Sequence, residues 1–205
     1  MLTLKTPAKI NLTLEVLGKR PDGYHEIRSV LQAVGLYDTL TFEKSRKLSV
    51  TGSLPEWKAE ASLVTKAAQL LQGATGYKKG ASIHVEKRIP LMSGLGGDSS
   101  DAAATLTGLN QLWSLGLERE KLAELGSKLG SDVAFFLSGG TALAEGRGEL
   151  VTLLPSLPRK WVVLMMPEVP VEAGKTAEMY FNLKPEHYTD GQTTRRLVEV
   201  LITNL

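Results

Sequence analysis

Pro90-Leu91-Met92-Ser93-Gly94-Leu95-Gly96-Gly97-Asp98-Ser99-Ser100-Asp101-Ala102-Ala103-Ala104 combines the residue types and the spacing of an anion cradle. A glycine run ends in two serines and opens into an Ala- and Leu-rich helical pattern. Glycines let the backbone turn with positive φ and come close to a ligand. Ser99 or Ser100 is expected to cap the helix, leaving first-turn N–H groups pointing outward. Such a start attracts phosphate through its orphan donors and the positive end of its dipole. The pattern G-x-x-x-x-G-K-[ST] occurs nowhere in the chain, so this is a different kind of phosphate cradle. A dinucleotide fingerprint fits poorly: the acid expected about twenty residues on is missing, with Leu117 and Glu118 falling in a loop between helical runs. The plainer alternative is a glycine-rich loop that merely joins strand to helix.

Three further clusters carry chemistry. Pro7-Ala8-Lys9-Ile10-Asn11 puts Lys9 and Asn11 on one face of a strand, opposite Ile10. An ammonium there could neutralise charge as a phosphoryl group moves, or Lys9 is simply an exposed edge lysine. Gly130-Ser131-Asp132-Val133-Ala134-Phe135-Phe136 sets one acid among apolar residues, where it needs a hydrogen bond or an ion pair. Asp132 could take or orient a hydroxyl proton, or it caps a helix. Pro21-Asp22-Gly23-Tyr24-His25-Glu26 places an aromatic ring and an imidazole beside a turn. That pair could stack on a nucleobase and bond its edge, or serve only in packing.

The elements that position these clusters follow from periodicity. Ile10, Leu12, Leu14 and Val16 alternate with polar residues as a half-buried strand, and Arg20-Pro21-Asp22-Gly23 reads as a turn. Strands are expected at 36–43 and 48–51, a helix at 60–73 stopped by Gly73, and a strand through Ala81, Ile83 and Val85 that feeds the glycine loop. Helices at 99–114 and 118–129 follow, then strands at 139–144 and, more buried, Trp161–Met166, and a helix at 191–204. Pro155, Pro158, Pro167 and Pro170 suggest a domain seam near 155–160. Mixed order of strands and helices indicates α+β.

Composition narrows the function. The 205 residues are 42% hydrophobic and 22% charged, ordinary for a globular protein. With no Cys and only His25, His84 and His187, neither disulfides, thiolate metal sites nor a His-based zinc centre is expected. A net charge of +2 without dense Lys/Arg runs argues against nucleic-acid binding. No window approaches the roughly eighteen apolar residues of a membrane span. Met1-Leu2-Thr3-Leu4-Lys5 leads directly into a strand pattern rather than a signal-peptide h-region. A cytoplasmic protein handling small molecules, as monomer or homodimer, is the expectation.

Together these segments resemble the galactokinase, homoserine kinase, mevalonate kinase and phosphomevalonate kinase (GHMP) superfamily. The matching residues are Pro7 to Leu12, Arg20 to Glu26, Gly94-Leu95-Gly96-Gly97 through Ala104, Gly130-Ser131-Asp132-Val133, and Gly139-Gly140-Thr141-Ala142 with Glu145-Gly146-Arg147-Gly148-Glu149. Tyr24-His25 after Asp22-Gly23 resembles the branch whose acceptor is a cytidine diphosphate-linked methylerythritol of the non-mevalonate isoprenoid route. The resemblance implies a two-domain fold. Residues 1–155 would be an ATP-binding domain like domain 2 of ribosomal protein S5, and 156–205 the start of a C-terminal domain, with the acceptor in the cleft between them. It implies γ-phosphoryl transfer from ATP with Mg2+, Lys9 and Asp132 as the catalytic pair, and residues 90–100 around the ATP phosphates. Tyr24 and His25 would bind the cytidine, Asn11 would lie near the substrate phosphates, and Tyr180 would stand as a second aromatic against the cytosine.

Departures from the family pattern carry their own expectations. Met92 and Asp98 stand where the family usually has Gly, and Ala134 where it has Pro. Met92 should keep negative φ and send the loop along a different path. Asp98 should repel phosphate unless Mg2+ or a Lys bridges it. Ser62 replaces an Asn near the adenine pocket. Nothing after Tyr180 resembles the family's further glycine-rich loop, which suggests an incomplete C-terminal domain. Two other readings stay open: a sister kinase acting on another small alcohol, and a truncated form that binds nucleotide without transferring phosphate.

Overall fold

The computed structural model describes residues 1–166 and 175–203. Chain contacts divide it into two units, one of residues 1–9 with 35–138, the other of 10–34 with 139–205. Strands β1 (Leu2–Lys19) and β2 (His25–Ser45) are long enough to give a segment to each.

In the first unit, β2 pairs antiparallel with β4 (Gly80–Glu86), Leu40 opposite Val85 and Phe42 opposite Ile83. Strand β3 (Ser49–Gly52) runs parallel to β4 on its other side. The alternation anticipated in β4 is realised: Ala81, Ile83 and Val85 are buried, while His84 and Glu86 are exposed. Helices α1 (Leu63–Thr75), α2 (Gly97–Leu112), α3 (Arg119–Ser127) and α4 (Ser131–Ser138) share one core with these strands. Leu40, Phe42, Leu71, Ile83, Leu106, Leu109 and Leu125 are among its largest shielded members. The loop and α2 therefore stand on a packed base, since burying such side chains contributes about 1.5–3 kcal/mol each.

In the second unit, the first part of β2 pairs antiparallel with β5 (Thr141–Gly146), and β5 with β6 (Leu150–Leu154). Helices α5 (Lys175–Phe181) and α6 (Gln192–Thr203) belong here too. The N-terminus of α6 is tied to β1: the Thr194 N–H donates to Glu15 Oε2 at 2.6 Å, and Thr194 Oγ1 to Thr13 Oγ1 at 2.9 Å. Burial works against the Glu15 charge, but the hydrogen bonds from Thr194, Thr189 and Thr193 hold its pKa below the ordinary carboxylate value.

The α+β class holds, with parallel and antiparallel pairings in a mixed sheet. Several local expectations do not. In β1 the expected burial pattern is reversed: Leu12 and Leu14 are exposed, whereas Glu15 is buried because its carboxylate is bonded to Thr194. The first helix passes Gly73 and ends at Thr75, capped by the left-handed Gly76. Trp161–Met166 forms no strand; its six side chains are exposed, Trp161 completely. An apolar run becomes a strand only with a hydrogen-bonded neighbour, and among the described residues this one has none. Conversely, residues 131–138 form helix α4, of which sequence offers only the possible cap at Asp132, because eight residues are too few to display a helical period.

Candidate active site

The glycine loop follows β4 and leads into α2. Its N-cap is Gly96, at φ 76°, so neither serine caps the helix; Ser99 and Ser100 lie inside the first turn. The first helical bond runs from Ser100 N–H to Gly96 C=O at 2.9 Å, which leaves the amides of residues 97–99 without helical acceptors. Lys87, residues 90–94 and residues 96–99 line a pocket of about 150 Å³ at this point. Ser100 Oγ is buried with no hydrogen-bond partner among the described residues. Free amides, a positive helix end and a small pocket match the requirements of a phosphate tail.

Met92 corrects an expectation: it adopts φ 54°, the left-handed conformation that a glycine would take there. The turn is held by Ser93, whose Oγ donates to Pro90 C=O at 2.7 Å and accepts from Leu95 N–H at 3.4 Å. Met92 itself is 63% exposed and meets no packing penalty.

Lys9 and Asp132 come together in the first unit, Lys9 Nζ lying 3.5 Å from Asp132 Oδ2. Lys9 is buried, and its backbone N–H donates to Leu95 C=O at 2.9 Å, so the strand that carries the ammonium is stitched to the glycine loop. Its Cγ lies 3.1 Å from where a Cβ on Gly96 would fall, with the Phe136 ring closer still at 2.8 Å. Asp132 sits in the first turn of α4, an acid favoured at that helix end. Its side chain is 37% exposed rather than enclosed by apolar neighbours, because α4 turns its apolar residues Val133 and Phe135 inward.

Beneath the loop lies an ion cluster that residue patterns did not reveal. Lys87 Nζ contacts Asp38 Oδ2 at 2.6 Å and Asp101 Oδ2 at 2.9 Å, and all three side chains are shielded from solvent. Burial opposes the Lys87 charge, yet Asp101 and Asp38 keep its pKa above the ordinary lysine value. For Asp101, burial raises the pKa most, Lys87 draws it back, and Asp38 raises it again, leaving it pushed up to about 6. Asp98, half exposed, has Lys87 Nζ at 3.6 Å and the Trp57 indole N–H at 3.4 Å; the lysine expected to offset its charge is therefore present. Ser62 caps α1, accepting from Thr65 N–H at 3.2 Å.

The remaining residues fall in the second unit. His25 is buried, with its ring 5.3 Å from Tyr180 and 6.0 Å from Tyr188 between centroids. Tyr188 lies outside the expected set; only its place eight residues from the expected Tyr180 could have hinted at it. Tyr24 is exposed, with the Arg147 guanidinium 4.9 Å from its ring centroid. The turn before it is held by Asp22, which accepts from Tyr24 N–H at 3.1 Å, and by Arg20 bridging Asp22 and Glu26. Asn11 Nδ2 donates to Ser29 Oγ at 2.8 Å. Asn11 and Lys9, adjacent on one strand face in sequence, belong to different units.

Residues 62–140 match the family described as GHMP kinases N terminal domain. A crystal structure of 4-(cytidine 5'-diphospho)-2C-methyl-D-erythritol kinase superposes with a TM-score of 0.78 at 33% identity, covering 98% of this chain and 71% of that one. A fold of this kind, with a glycine loop opening α2, defines a small-molecule kinase of the GHMP class. The 4-diphosphocytidyl-2-C-methyl-D-erythritol kinase of Dehalococcoides mccartyi (strain ATCC BAA-2266 / KCTC 15142 / 195) is 51% identical over 199 residues, 97% of this chain and 70% of that protein. Its counterpart in Geobacillus thermodenitrificans is 48% identical over 192 residues, 91% of this chain and 64% of that protein. The chain belongs to the 4-diphosphocytidyl-2-C-methyl-D-erythritol kinase family.

Proposed function

We propose that this chain transfers the γ-phosphoryl group of ATP to a hydroxyl of 4-diphosphocytidyl-2-C-methyl-D-erythritol, a step toward isoprenoid precursors. The observation that carries the reading is the Lys9–Asp132 pair, 3.5 Å apart, with Lys9 on a strand bonded through its backbone to the phosphate loop. Asp132 accepts or orients the proton of the acceptor hydroxyl while its oxygen attacks the γ-phosphorus. The bond to the β,γ-bridging oxygen breaks, and ADP leaves. Lys9 offsets charge on the phosphoryl oxygens during transfer, and the 97–99 amides hold the phosphate tail.

Mg2+ would arrive with the nucleotide and neutralise charge on its β- and γ-oxygens. Tyr24, His25 and Tyr180, joined by Tyr188, offer aromatic faces for the cytosine, and Asn11 an amide for the substrate phosphates. The test is ADP release with ATP, Mg2+ and the cytidyl substrate. Asp132→Asn and Lys9→Ala should each lower turnover at least a hundredfold while ADP affinity changes by less than threefold, and normal turnover in either variant would refute its role.

A further inference from the structure

We infer that Lys87 is a positioning residue of the phosphate loop: one buried ammonium fastens the strand end that enters the loop to the helix that leaves it. On the entering side it holds Asp38, whose other oxygen accepts from the backbone N–H of Arg88 at 2.5 Å and of Ile89 at 2.8 Å, the two residues before Pro90. On the leaving side it holds Asp101 of α2, whose second oxygen accepts from Thr6 Oγ1 of β1 at 2.7 Å. Strands β1 and β2, both loop ends and α2 thus meet at one nitrogen.

Two features separate this from ordinary core packing. Buried ion pairs cost desolvation and stabilise no better than apolar residues of the same size, and β4 and α2 supply apolar residues such as Ile83, Val85, Leu106 and Leu109 to the shared core. What a charged, hydrogen-bonded cluster adds is a fixed distance and direction. Moreover, a Cβ on Gly97 would fall 3.2 Å from Lys87 Nζ, so the ammonium lies directly against the first residue of α2. Any drift of that ammonium reaches the amides of residues 97–99 within one helical turn.

The inference rests on the phosphate-site reading only for its binding readout. The test pairs amide hydrogen exchange of residues 91–99 with ADP affinity. The double variant Lys87→Met with Asp101→Asn removes one charge of each sign, keeps the cluster's net charge, and cuts the tie. Exchange in 91–99 should rise at least tenfold, with α3 and β5 unchanged, and the ADP dissociation constant should rise about tenfold. A folded double variant with wild-type exchange in the loop overturns the inference. If that variant does not fold, Asp38→Asn decides: it keeps an oxygen for the 88 and 89 amides but sets an NH2 group against Lys87, and an unchanged loop refutes the clamp. If the wild type binds no ADP, the phosphate-site reading fails, and exchange still decides the clamp.

Discussion

Gly96→Ala should damage stability and turnover together, through two separable causes. Gly96 has φ 76°, and an L side chain in the left-handed region costs roughly 1–2 kcal/mol. Its new methyl would also fall 2.8 Å from Cε2 and Cζ of Phe136 and 3.1 Å from Lys9 Cγ, and such overpacking typically costs about 1–3 kcal/mol. The sum is roughly 2–5 kcal/mol, a melting-temperature loss on the order of 10 °C for a chain of this size. Gly94→Ala is the internal control: φ is 77°, but nothing lies within 4 Å of the added carbon, so only the backbone part applies. Thermal melts of both variants and their kcat should therefore separate. Gly94→Ala should lose a few degrees and keep most turnover. Gly96→Ala should lose more of both, because relief of the clash displaces Phe136 or the Lys9 stem. Equal melting losses in the two variants would refute the contact part, and a stable Gly96→Ala enzyme would refute the whole account.

Met92→Gly removes the side chain from a left-handed position and so gains on the order of 1 kcal/mol in the folded state, partly offset by a more flexible unfolded chain. Its melting temperature should equal or exceed that of wild type by a few degrees, and a clear drop would show that the methionine packs usefully. Asp101 provides a test in pH. Its folded pKa of about 6 lies above the model-compound value of 3.8, so its contribution favours the fold below 3.8 and is lost as pH rises through 6. The charged groups facing it are Lys87, which stays protonated across this range, and Asp38, with Asp98 beyond the lysine. Between pH 4 and pH 7 wild type should therefore lose melting temperature relative to Asp101→Asn; parallel curves would remove the titration from the account.

The strand period showed in Ala81, Ile83 and Val85 because β4 is buried on one face, and period is what a buried face imposes on a sequence. The glycine loop was legible for a different reason: left-handed turns and close approach demand glycine, and demand of that kind is visible in composition. Met92 shows the limit of the argument. Glycine is the residue a left-handed turn prefers, but hydrogen bonds from Ser93 suffice to hold methionine there, so residue identity did not report φ. Trp161–Met166 shows another limit, since apolar composition states a wish for burial and cannot supply the neighbouring strand.

Lys87 was the least legible of all, and the reason is physical. It stands beside Arg88 in a short basic pair, yet the Lys87 side chain is fully shielded and that of Arg88 is 67% exposed. No local rule separates them, because the burial of Lys87 is produced by Asp38, 49 residues away on β2, and Asp101, 14 residues on. Pairing of that kind is a property of the assembled unit. The same logic orders the candidate site. Lys9 and Asp132 meet only after β1 and α4 have packed, and Lys9 reaches the loop through a backbone bond to Leu95 that no side-chain pattern encodes. Sequence thus names the groups proposed for phosphoryl transfer, whereas the buried charges that hold the loop's two ends together emerge only in the folded unit.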